Sequence, residues 1–106
     1  MKNLYQIAHY DLNELRQFFG AYFHQDWIVV ASDPDEVIHL FKNDGFSHND
    51  LINLANNVEI YATSKANDAA AEEGIFSELG CYYIPSVDGV GAKTWLFHVA
   101  KLLRST

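Results

Sequence analysis

Short segments with apolar residues at helical spacing follow one another along this chain, and residues that start or stop helices bound them. The clearest start is Asp33-Pro34, because Asp33 can cap a helix and Glu36 follows three residues later. The clearest stop is Asn43-Asp44-Gly45, whose glycine suits the position just past a helix end. Together these signals predict five helices, over about residues 12–23, 34–42, 48–63, 68–79 and 92–103.

The apolar positions of these five helices define the expected core. They are Leu12, Leu15, Phe19, Tyr22 and Phe23; Val37, Leu40 and Phe41; Leu51, Leu54, Ala55 and Val58; Ile75, Phe76 and Leu79; and Trp95, Leu96, Val99, Leu102 and Leu103. Capping boxes are expected at Asp11 with Glu14 and at Ser47 with Asp50. Because each short helix needs a neighbour to cover its apolar stripe, the sequence predicts an all-α bundle in one domain over residues 1–106.

Two apolar segments leave an alternative fold class open. Residues 27–31 read Trp-Ile-Val-Val-Ala, and residues 81–85 read Cys-Tyr-Tyr-Ile-Pro. Periodicity does not decide whether the first is a short strand or a buried connector, and the second is expected to be extended. If the two segments paired as a small ribbon, the fold would be α+β.

The composition bounds the class of protein. Hydrophobic residues make up 49% of the chain, which is enough for a core and argues against disorder. No apolar run is long enough to span a membrane, and Met1–Gln6 lacks the apolar region of a signal peptide. Cys81 is the only cysteine, so no internal disulfide is possible. We therefore expect a cytoplasmic protein with no membrane partner.

The charge balance indicates the kind of partner. Fourteen acidic residues against seven basic ones give a formal net charge of −7. An acidic surface repels phosphate backbones, so nucleic-acid binding is disfavoured, whereas a basic protein would be attracted by long-range steering. Solubility alone is the competing explanation of such a charge.

Candidate catalytic residues are sparse. His24 and Asp26 offer an imidazole and a carboxylate, but neither HExxH nor CxxC spacing is present, so no metal site is expected. Cys81 lies beside an aromatic apolar run, which favours a buried, unreactive thiol over a nucleophile. The sequence predicts no enzyme and no cofactor. The alternative is a small metal-dependent hydrolase that uses His24 and Asp26.

The most distinctive part of the chain runs over residues 15–27 and contains Tyr22-Phe23-His24-Gln25-Asp26-Trp27. It resembles the signature of contact-dependent growth inhibition immunity proteins of the CdiI type, which carry a Tyr-Phe-His-x-Asp-Trp motif after the first helix. Pro34-Asp35-Glu36-Val37, Leu79-Gly80-Cys81-Tyr82-Tyr83 and Trp95-Leu96 match later pieces of the family pattern in the same order. The resemblance covers residues from about 10 to 103.

This resemblance implies a function that the residues alone do not indicate. Such proteins bind and neutralise, in the cytosol, the C-terminal toxin domain of a large surface-delivered CdiA-type effector, commonly a nuclease. A basic nuclease domain is therefore the expected partner. The motif residues Tyr22, Phe23, His24, Asp26 and Trp27 are expected to have structural roles, with the toxin contact on polar surfaces elsewhere.

Acidic residues outside the motif are the candidates for that contact. Five of them lie on the fourth predicted helix and in the following glycine-containing loop: Asp68, Glu72, Glu73, Glu78 and Asp88. We expect them to steer a basic toxin domain toward the protein, around an apolar centre. Asp33, Asp35 and Glu36 form a rival patch, which helix capping already explains.

Overall fold

The structure is a computed structural model that describes residues 10–105. Over that range the chain forms six α-helices and one 3-10 turn, and no strand. The helices are α1 (Leu12–Tyr22), α2 (Trp27–Val30), α3 (Pro34–Lys42), α4 (His48–Ser64), α5 (Asp68–Ser77) and α6 (Ala92–Arg104), and the 3-10 turn is Pro85–Asp88. The all-α prediction is confirmed. Residues 1–6, on which the expected lack of a signal peptide rests, lie outside the described range.

The start of α1 differs from the predicted capping box. Asp11 Oδ1 accepts a hydrogen bond of 3.1 Å from the backbone N–H of Glu14, as expected of an N-cap. Glu14, however, does not return the bond. Its carboxylate accepts from the buried Asn57 amide of α4 at 2.9 Å, while Asn57 Oδ1 accepts from the Asp11 N–H at 2.7 Å. A side chain distant in the chain therefore completes the cap and joins α1 to α4.

The start of α4 follows the predicted local chemistry, and that of α3 follows it in part, because Glu36 Oε1 accepts from the Ser32 N–H at 2.6 Å and not from the Asp33 N–H. Asp33 Oδ1 accepts from the Glu36 N–H at 2.8 Å, and Pro34 occupies the first turn. Ser47 and Asp50 form the complete capping box, with side chain to backbone bonds of 3.1 and 3.2 Å. Gly45, in the loop between α3 and α4, has a φ of +92°, which favours glycine.

Helix α6 lies at the centre of the packing. It runs against α4 and also contacts α3, α5 and the 3-10 turn. Its Trp95 is 4% exposed, and the indole ring lies 5.9 Å from the ring of Phe19 and 5.4 Å from that of Phe23. The apolar faces of helices early in the chain are thus covered by a helix from its far end.

Two predicted core residues are exposed instead. Leu40 is 41% exposed, because α3 turns Val37, Ile38 and Phe41 inward. Phe76 is 47% exposed, and α5 buries Ala71, Gly74 and Ile75. A helical spacing is consistent with several neighbouring faces, and the packing partners decide which face is buried.

The α+β alternative is wrong for the described residues. Residues 27–30 form the single-turn helix α2, neither a strand nor a buried connector. Backbone N–H groups there are used locally: Val29 donates to Asp26 at 2.9 Å and Ala31 to Trp27 at 3.1 Å, so they are not available to a sheet. Residues 81–84 run without regular structure, and the Tyr82 N–H donates a 2.7 Å bond to the carbonyl of Phe23, at the end of α1, rather than to residues 27–31.

None of the helices in the described range is both long and apolar enough to cross a membrane.

Candidate interaction surface

The residues of the aromatic signature lie around the turn between α1 and α2. Phe23 is fully buried, and Trp27 is half-buried with its ring 6.1 Å from that of Phe23 and 5.7 Å from that of Tyr83. The Tyr22 hydroxyl donates to Asp44 Oδ2, and this hydrogen bond together with partial burial raises the pKa of Tyr22 to about 12. Because these contacts lie within the protein, we propose a structural role for the aromatic residues.

His24 and Asp26 lie at the same turn. Nδ1 of His24 accepts a 3.0 Å hydrogen bond from the backbone N–H of Asp26. The Asp26 carboxylate is on the surface and does not cap α2. The imidazole thus binds the backbone of the turn, which is the arrangement expected of a structural motif. Across residues 10–105, no three His, Cys, Asp or Glu side chains gather in a group suited to a metal ion.

Cys81 is the first residue of the extended segment 81–84, and its thiol is buried. Burial raises its pKa to about 12, although a weak bond to the Tyr83 carbonyl at 3.5 Å acts in the opposite direction. A thiol with such a pKa is almost entirely protonated at neutral pH, and only the thiolate is a good nucleophile.

A surface groove lies between α2 and the segment that leads into the 3-10 turn; we call it the α2 groove. Its exposed apolar residues are Ile28, Tyr82, Ile84 and Val87, and Trp27 and Tyr83 form its base. Asp33 and Asp88 also line it, and both extend into a second hollow that contains Asp35 and His98. The structure therefore brings Asp88 next to the rival patch around Asp33, which the sequence treated as a separate site.

Two acidic residues beside the 3-10 turn, Asp88 and Glu72, are held in place by neighbours. Asp88 Oδ2 accepts from the Tyr83 hydroxyl at 2.9 Å, and burial together with this bond raises the pKa of Tyr83. Both carboxylate oxygens of Glu72 accept from Ser86, one from its N–H and one from its hydroxyl, each at 2.9 Å. The Tyr83 and Ser86 donors are uncharged, so no cation is paired with Glu72 or Asp88 in these bonds.

The other three predicted acidic residues are arranged differently. Asp68 Oδ1 accepts from the backbone N–H of Lys93 at 2.9 Å. Glu78 accepts from the Tyr61 hydroxyl at 2.7 Å and from Lys65 Nζ at 2.9 Å, and these two bonds lower its pKa. Glu73 is exposed, and among the described residues its carboxylate has no hydrogen-bond partner. Because Lys65 offsets its charge, Glu78 is the least suited of the five acidic residues to attract a basic ligand.

Two of the basic side chains in the described part of the chain form bonds with residues outside the α2 groove. Arg104 forms a two-pronged pair with Glu59 at 2.6 and 2.9 Å, and Lys42 Nζ donates to the Leu102 and Ser105 carbonyls at 2.7 Å each. No lysine or arginine lines the groove among the described residues. Its rim is consequently acidic.

The exposed apolar residues of this surface were missed in the sequence, which assigned residues 27–31 to a strand or a buried connector. Ile28, Val29 and Val30 are 70%, 78% and 58% exposed. The available signal was a run of β-branched residues without helical or alternating spacing, placed between two capped helices. The spacing of residues in such a run does not indicate which element it packs against, or whether it faces the core or solvent.

One family model matches the chain: that of the family described as CdiI immunity protein, over residues 11–103. The match covers nearly all of the described structure and confirms the resemblance seen in the sequence motifs. No curated protein and no solved structure matches the chain.

Proposed function

The chain belongs to the CdiI immunity protein family, whose members neutralise toxins, and from that premise we propose that it acts in the cytosol on a basic nuclease toxin domain. The family match over residues 11–103 is the observation that carries this proposal. The expected partner is the C-terminal domain of a CdiA-type effector. Inhibition is by binding, without catalysis and without a cofactor.

The distribution of charge supports a basic toxin domain. A nuclease has to hold phosphates, so its active cleft carries positive charge. The formal net charge of −7 on this chain attracts such a cleft through the same field that attracts RNA or DNA. Lys65, Arg104 and Lys42 are bonded to other groups of the protein, and no lysine or arginine among the described residues lines the α2 groove to offset Asp33 and Asp88.

The structure allows the five acidic residues to be ranked within the proposal. Glu72, Glu73 and Asp88 are the strongest candidates, because Glu72 bonds to the 3-10 turn, Asp88 is the last residue of that turn, and Glu73 is exposed. Asp68 comes next, since its only described partner is a backbone N–H. Glu78 comes last, because Lys65 offsets its charge.

The test is a neutralisation assay. The C-terminal domain of the large protein encoded beside this chain's gene is expressed in a sensitive bacterium, with and without this chain. We expect growth arrest with the domain alone and growth restored by the chain. In purified form, one equivalent of the chain should abolish cleavage of RNA or DNA by that domain. A domain that arrests growth equally in the presence of the folded chain would contradict the proposal.

A further inference from the structure

The exposed residues of α2 are not explained by folding. Ile28, Val29 and Val30 are β-branched residues, which are weak helix formers, and more than half of each is exposed. No side chain caps the helix, and none of its residues is fully buried. Residues that are poor helix formers and gain no burial from being in a helix often lie at functional positions. Large exposed apolar patches often mark binding surfaces.

Of the three, Ile28 belongs to a larger apolar surface. Ile28 faces Tyr82, Ile84 and Val87 across the α2 groove. The ring of Tyr82 also packs edge-on against the exposed ring of Phe76, at 5.3 Å between centroids, which extends the surface to α5. We name Ile28, Tyr82, Ile84, Val87 and Phe76 the apolar strip.

The part of the apolar strip that contains Val87 is held in place by hydrogen bonds within the protein. Val87, at 79% exposure, sits in the 3-10 turn, which the Glu72 to Ser86 bonds and the Asp88 to Tyr83 bond hold on either side. Gly89, with a φ of +73°, ends the turn. A preformed contact residue loses little conformational entropy on binding, so more of its burial contributes to affinity.

The acidic residues around the strip indicate a basic partner. Asp33 and Asp88 line the same groove, Glu72 flanks the 3-10 turn, and Glu73 lies three residues before Phe76 on α5. An apolar centre inside a rim of one sign is the arrangement of a specific interface for an oppositely charged protein. Resting on the proposed function, we propose that the apolar strip is the site where the basic toxin domain docks.

The test compares two double variants in which exposed apolar residues are replaced by serine. Ile28→Ser with Val87→Ser removes two residues of the strip, each at least 70% exposed. Leu40→Ser with Phe97→Ser removes two exposed apolar residues that do not line the α2 groove and serves as the control. The probe is the C-terminal domain encoded beside this chain's gene, with its Kd measured by calorimetry. We expect the strip variant to bind roughly 100-fold more weakly and the control within about threefold of wild type.

A single substitution guards against loss of folding. Val87→Arg places a bulky cation at a side chain that is 79% exposed, so it should leave the melting curve unchanged and still weaken binding. If wild type fails to bind the domain, the proposed function fails. If wild type binds and the folded strip variants bind equally well, or the Leu40 and Phe97 control loses binding instead, the docking site is overturned while the proposed function stands.

Discussion

The hydroxyl of Tyr61, on α4, donates a 2.7 Å hydrogen bond to Oε1 of Glu78, just past the end of α5. Lys65 Nζ reaches the same carboxylate oxygen at 2.9 Å, and burial followed by the Glu78 bond raises the pKa of Tyr61. The contact depends on Gly74, because a Cβ at that position would collide with the Tyr61 hydroxyl. One glycine thus allows α4 and α5 to approach closely enough for a buried tyrosine to find its acceptor.

Gly74→Ala is therefore expected to lower the free energy of unfolding by about 1–3 kcal/mol, as overpacking does, although alanine is the better helix former. Chemical denaturation measures the change. The matched test is the same substitution in a Tyr61→Phe background, where the obstructing oxygen is gone and the added methyl group should cost less. Equal costs in the two backgrounds would show that the hydroxyl is not what the methyl group meets.

The two tryptophans should differ in their contribution to stability. Trp95→Ala should lower the free energy of unfolding by about 3–5 kcal/mol, because the 4%-exposed indole packs between aromatic rings. Trp27→Ala should cost roughly half as much, because the side chain is only half-buried. Urea titrations of both variants provide the comparison. A Trp27 variant that proves as unstable as the Trp95 variant would contradict the described burial.

The pair of Arg104 and Glu59 should make stability depend on acid. Hydrogen bonds from Arg104 lower the pKa of Glu59 below its usual 4.5. A carboxylate whose pKa is lowered by folding adds stability that is present above its unfolded pKa and is lost as the pH falls through its folded pKa. Glu59→Gln and Arg104→Gln should each reduce the fall in urea midpoint between about pH 7 and about pH 3.5, measured at constant ionic strength. An unchanged pH dependence in both variants would assign the acid sensitivity to other groups.

Charge near the 3-10 turn should set the rate of toxin association. Reversing Glu72 would also break its bonds to Ser86, so Glu73→Lys is the cleaner change. It should slow association with the toxin domain by about threefold or more at low salt, and rising salt should bring wild type toward the variant. Asn49→Lys with Asn53→Lys gives the same net charge on the exposed side of α4 and is the control. Stopped-flow measurements in which both variants slow equally would indicate that total charge matters and position does not.

The helix starts that were predicted correctly depend on bonds between residues close in the sequence. The bonds of Ser47 with Asp50 and of Asp33 with Glu36 join residues three apart, so their pattern is visible in the sequence. The cap of α1 was only half predicted, because Asn57 comes from a distant helix and takes the place assigned to Glu14. The spacing of residues predicts bonds between neighbours in the sequence, but it does not predict a bond to a residue that only folding brings close.

The α2 groove was not predictable for the same reason. The β-branched run at residues 28–30 has the composition of a buried strand, and only the packing around it shows that nothing covers it in the described structure. Asp33 and Asp88 are far apart in the chain, and the fold brings them to one groove. The five acidic residues shared a segment of sequence, yet Glu78 is paired with Lys65 while Glu73 faces solvent.

The central position of α6 has a consequence for the timing of protection during protein synthesis. A ribosome makes residues 92–104 after every other helix, so Phe19 and Phe23 have no Trp95 to pack against while the chain is still growing. A nascent chain that stalls before α6 leaves the exit tunnel therefore lacks the central helix of its core. Under the proposed function, a toxin is therefore neutralised by chains that are already finished, and a chain still being translated does not contribute until α6 has been added.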